Sequence, residues 1–199
     1  MPSLPDQPGA GEGEPRPDRL TPQTVDFDAV ARVSTQAVLR AVRLAFIHAE
    51  LDESGGSIPD GWSPDALIGY NTSGRLEPDS DMLVISCAFL AMYVPGLDKT
   101  TLDALPDPDD VDAAVQLNVR FQLVYELEDP SRLQEADPEH FAFVNGTLHA
   151  WPYWREIAQS TTVRMGLDPL MIGTFKIPSV HDPDGREDNP PELSAPRED

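Results

Sequence analysis

Histidines, a lone thiol, clustered carboxylates and loop tryptophans are the side chains of this 199-residue chain that could do chemistry. His140 and His149 form the one close histidine pair. Nine residues of helix turn them through about 900°, onto opposite faces, so they cannot share a metal unless the helix breaks at Gly146. Structural or solvated roles are expected for both. Asp182-x-Asp184-Gly185 with Glu187 begins like a calcium loop, but the remaining ligand spacing is missing and no metal is expected there. The acidic run Asp107 to Asp112 reads as a solvated loop. Cys87 lies in an apolar run, the setting of a buried, inert thiol rather than a nucleophile. No Gly-rich phosphate loop, nucleophile elbow or histidine-based triad occurs. The expectation is a protein without catalytic residues, metal or cofactor. Trp62 stands in a loop of Gly, Ser and Pro, where it covers a core edge or lines a groove.

Composition narrows the partners. A net charge of −21 repels nucleic acid and anionic membrane, but leaves basic or aggregation-prone polypeptide as a partner. It would also keep a protein soluble while apolar surface is exposed. Hydrophobic residues make up 40% of the chain, enough for a core. Residues 1–24 carry six prolines and residues 178–199 are proline-rich and acidic, so both tails are expected to be disordered around one domain over 25–177. With a single cysteine there is no intrachain disulfide. No basic-then-apolar leader precedes the domain, and the longest uncharged apolar run, Met82 to Val94, is short of the about 20 residues that span a membrane. A cytoplasmic location is expected.

The elements that must position these residues follow from periodicity. A short helix near Asp26 to Gln36 precedes a strand from about Val38 to Leu51, in which Val42, Leu44 and Phe46 alternate with Arg43 and Ala45. Leu67 to Arg75 reads as a short edge strand. Met82 to Val94 is apolar on both faces and belongs in the middle of a sheet. From Val115 to Leu127, odd-numbered apolar residues alternate with mostly polar ones, the cleanest strand signal in the chain. Asp137-Pro138-Glu139 starts a helix, and Trp151-Pro152 reads as a joint to a second helical segment, because proline cannot continue the first. Trp154, Ile157, Ala158, Thr161 and Met165 form one stripe, Gly166 stops the helix, and Leu170, Met171, Ile172 and Phe175 form a short extended apolar arm. Strands followed by helices predict an α+β domain: a four-stranded antiparallel sheet with the C-terminal helical segment packed on one face.

Two stretches carry a family resemblance. Pro152-Tyr153-Trp154-Arg155-Glu156, followed by Arg164, Gly166, Pro169 and Leu170, resembles the helix and exit segment of SecB-like chaperones, and Trp62-Ser63-Pro64-Asp65 resembles their crossover loop. Val115-x-Leu117-x-Val119 falls where that family has an apolar row on its last strand. The likeness spans about Val38 to Phe175. It implies an ATP-independent holdase, not an enzyme, assembled as a tetramer and binding unfolded polypeptide in apolar grooves. Trp62, Val115, Leu117, Val119 and Phe175 would line the groove on this analogy, and Trp62→Ala would weaken client binding with little loss of fold.

Two departures set the branch. Where the export chaperones carry acidic residues for the translocation ATPase SecA, this chain has Leu44, His48, Gln116 and Asn118, which argues against that contact. The family's terminal helix is replaced by residues 178–199. Both shift the expectation from export toward relatives that protect an antitoxin. From another class, an antiparallel sheet with one helix also suits a hot-dog-like acyl-CoA thioesterase or acyl-binding protein, with Glu139 or Glu156 as the carboxylate.

Overall fold

The computed structural model describes residues 24–52, 58–97 and 111–176. The two tails, the calcium-like stretch at Asp182 and most of the Asp107 to Asp112 run lie outside those residues.

Helix α1 (Phe27–Ser34) begins where Asp26 accepts hydrogen bonds from the amides of Asp28 and Ala29, at 2.9 and 3.2 Å. Its apolar side, Ala29, Val30 and Val33, is buried. Four strands follow: β1 (Ala37–Leu51), β2 (Leu67–Leu76), β3 (Met82–Tyr93) and β4 (Val115–Leu127). All pairings are antiparallel and the order is β1-β4-β3-β2. Strand β2 lies at an edge and β3 inside the sheet, as expected. Every odd-numbered residue of β4 is buried, each contributing about 1.5–3 kcal/mol by leaving water.

Strand β1 departs from simple alternation. Cross-strand partners share a face, and β1 slips register between Leu39 and Ala41 and again between Leu44 and Phe46. The two bulges keep Leu39, Val42, Leu44 and Ile47 opposite the inward residues Tyr125, Leu123, Phe121 and Val119. Phe46 is thereby turned to the other face, opposite Arg120, whose guanidinium lies 5.5 Å from its ring. The expected common face of Val42, Leu44 and Phe46 is corrected accordingly.

The helical layer runs without a gap from α2 (Asp137–Phe141) through a π-helical turn (Ala142–Gly146) into α3 (Thr147–Arg164). Pro152 lies inside α3 and is not a joint. The carbonyl four residues back, that of Leu148, goes without its helical amide donor there. The irregularity comes at the π turn instead. There Gly146 lies against the sheet so closely that an added Cβ would stand 2.7 Å from Ile85 Cγ2. Gly74 of β2 likewise meets the Pro138 backbone. Trp154, Ala158 and Thr162 are the buried line of α3, with Ile157 and Met165 packed beside it. Among the described residues, no helix is long and apolar enough to cross a membrane.

Candidate functional site

The residues with chemical potential are held in structural roles. The Arg32 guanidinium donates to both carboxylate oxygens of Asp137, at 2.7 and 3.0 Å, tying α1 to the start of α2. That bond holds the Asp137 carboxyl below its usual range. His140 Nδ1 accepts from the Asp26 amide at 3.2 Å. His149 Nδ1 lies 2.8 Å from the Tyr125 hydroxyl, and burial lowers its pKa. The two histidines serve different contacts. Burial pushes the Cys87 thiol up to about 12, so its thiolate does not form near neutrality. No group of three His, Cys, Asp or Glu side chains is placed to hold a metal among the described residues. Glu156 is on the outer side of α3, beside Arg155, Gln159 and Ser160, along an open depression rather than a closed acyl tunnel.

The feature left is a cluster of aromatic rings between sheet and helix, whose partly buried edge forms the groove in which the C-terminal arm lies. Strands β2 and β3 supply Tyr70 and Phe89, the π turn supplies Phe143, and α3 supplies Trp151 and Trp154. Phe89 stacks on Trp154 with centroids 5.4 Å apart, and Trp151 meets Phe89 edge-on at 5.8 Å. Tyr70 contacts Phe143 at 5.9 Å and Trp151 at 6.2 Å. The crossover loop closes one end: Trp62 packs edge-on against Tyr93 at 6.0 Å.

Residues 167–176, the arm after the Gly166 stop, lie extended along this groove. Leu170 and Ile172 point inward, 0% and 3% exposed, while Met171 between them is 64% exposed. Phe175 packs on both Trp151 and Tyr70, at 5.3 and 6.1 Å, completing a three-ring cluster with them. The backbone is held mainly by side chains. The Leu170 amide donates to Thr162 Oγ1 at 3.0 Å and the Met171 amide to Ser63 Oγ at 2.7 Å. The Trp62 and Trp151 indoles donate to the carbonyls of Asp168 and Gly173, at 3.2 and 2.8 Å. The Asp168 carboxylate accepts from the Gly61 amide at 2.9 Å.

The expected groove residues divide. Phe175 is half-buried in the groove, and Trp62 is at its end but covered by the arm. Val115, Leu117 and Val119 are interior, at most 1% exposed. Their expected place on an open surface is corrected, because the helical layer seals that row of β4. Tyr70 and Trp151, partly buried, are the rings that Phe175 of the arm touches, over a floor of buried Phe89 and Phe143, and none of the four was expected there. Tyr70 could have been found from its place between Ile68 and Thr72 in an alternating strand.

Sheet order, a single helical layer and the looped-over arm define an α+β domain of SecB-like fold. The structure is similar to that of the Mycobacterium tuberculosis Rv1957 SecB-like chaperone, solved in complex with a ChAD peptide from the Rv1956 HigA1 antitoxin. Identity is 15% and the TM-score 0.54, over 76% of this chain and 99% of that one. At that identity the likeness is one of fold. A protein of unknown function from Streptococcus agalactiae aligns at 7% identity and a TM-score of 0.32, over 69% of this chain and 97% of that one, too low to carry weight. No protein-family model matches the chain, and no curated protein matches it.

Proposed function

We propose that this protein is an ATP-independent holdase that binds non-native polypeptide and has no enzymatic activity. The observation that carries the reading is the aromatic groove, which accepts an extended apolar stretch of backbone on a SecB-like fold. Such a surface binds through the length of apolar chain it covers, at about 25 cal/mol per Å², rather than through one deep pocket. The Rv1957 chaperone was solved with an antitoxin peptide. That favours an antitoxin-type client, and Leu44, His48, Gln116 and Asn118 lack the acidity expected of an export-motor contact. The subunit acts in the cytoplasm as a tetramer. Support for assembly comes from an uncovered apolar strip: Leu44 is 50% and Ile47 44% exposed, and Tyr153, 50% exposed, lies against Phe121, the cross-strand partner of Leu44.

The test is aggregation of a reduced, unfolding protein in the presence of the chain without nucleotide. Suppression near one tetramer per client is the expected result. No suppression, together with hydrolysis of acyl-CoA, would replace this reading with the thioesterase one.

A further inference from the structure

Where an extended segment sits in a groove matters most when that segment belongs to the protein itself. Residues 168–175 place side chains at positions 170 and 172 into the core and an aromatic at 175 against two rings, with Asp168 anchored at the crossover loop. Alternate residues point in, as an unfolded strand would lie on such a surface. Two anchors are side chains of α3, the Thr162 hydroxyl and the Trp151 indole, and three come from the crossover loop, the Trp62 indole, the Ser63 hydroxyl and the Gly61 amide. These contacts recognise mainly backbone groups, so they would serve another chain's backbone equally well. Between these anchors Met171, Gly173 and Thr174 are exposed.

We propose that the arm is a built-in occupant of the client groove, and that a client must displace it. The displacing segment would match its chemistry: extended, with two aliphatic side chains two residues apart, an aromatic three residues further on, and an acidic residue two before the first aliphatic. This deepens the holdase reading and rests on it. Occupation of the groove by the arm lowers the apparent client affinity by the fraction of molecules whose groove is open. Loosening the arm therefore tightens client binding, the opposite of what loss of a groove wall would do.

The probe is reduced, carboxymethylated α-lactalbumin, a permanently unfolded chain. Asp168→Ala with Phe175→Ala removes two anchors that belong to the arm itself, leaving the groove side and Leu170 and Ile172 in place. This variant is expected to bind the probe about three- to tenfold more tightly than wild type. A peptide of residues 167–176 should compete with the probe. On the wild-type chain, hydrogen exchange should find the Leu170 and Met171 amides losing protection when the probe binds, a readout that needs no variant to fold. Probe binding with those amides still protected overturns the displacement while sparing the holdase reading. If neither wild type nor variant binds the probe, the holdase reading falls and this inference with it.

Discussion

Trp62 is the residue at which expectation and structure differ most usefully. Its sequence setting, a loop rich in Gly, Ser and Pro, allowed a surface role, but it is 2% exposed and its indole N–H holds the Asp168 carbonyl. Trp62→Ala should therefore cost about 3–5 kcal/mol of stability, against the expectation of an intact fold. Trp62→Phe keeps most of the packing and should lose about 0.5–1.5 kcal/mol with the hydrogen bond. Urea unfolding midpoints separate the two. The inert character of Cys87 was legible from its apolar neighbours, whereas the contacts of the histidines were not, since Asp26 and Tyr125 are distant in sequence. His149 gives a pH dependence with a definite sign. Burial lowers its folded pKa, so as pH falls the unfolded chain takes the proton first. Stability should be full above about pH 6.5 and decline as pH drops toward the folded pKa. Thermal unfolding across pH 5–8 checks this, with His149→Gln expected to lose that part of the slope. Asp137 behaves alike in a more acidic window: its folded pKa is depressed by Arg32, so its contribution is present above about pH 3.9 and lost as pH falls through the folded value.

Regularity decided which elements could be read. Strand β4 alternates without interruption and β3 is apolar throughout, so both were visible with nearly their observed limits. In β1 the extra residues at the bulges are chosen by pairing with β4, a non-local fact that no alternation count contains. The same holds for the helical layer. Proline drew attention to position 152, but the helix absorbs it at a partly exposed turn. The true irregularity at residues 142–146 answers to the sheet beneath, where Gly146 meets Ile85 and Cys87. Gly146→Ala would drive a methyl into Ile85 and should destabilise by about 1–3 kcal/mol. A urea midpoint equal to wild type would mean that the π turn can shift to make room.

For the molecule as a whole, composition and element order predicted an α+β fold, and the SecB-like resemblance supplied the rest of the architecture. The sealing of Val115, Leu117 and Val119 was hidden, because an alternating strand looks the same under a helix as beneath an open groove. Light scattering should give the mass of a tetramer at micromolar concentration, and Leu44→Lys, which puts a charge in the uncovered strip, should reduce it. A monomeric wild type would contradict the assembly. The long strand β1 has one further consequence. Among the described residues it pairs with β4 alone, so Leu51 waits for Val115 and Ala37 for Leu127. At synthesis rates of about 5–20 residues per second, this stretch leaves the ribosome seconds before its mate exists. During its own birth, then, a chain proposed to shelter half-made proteins is itself one of them, sticky and unguarded.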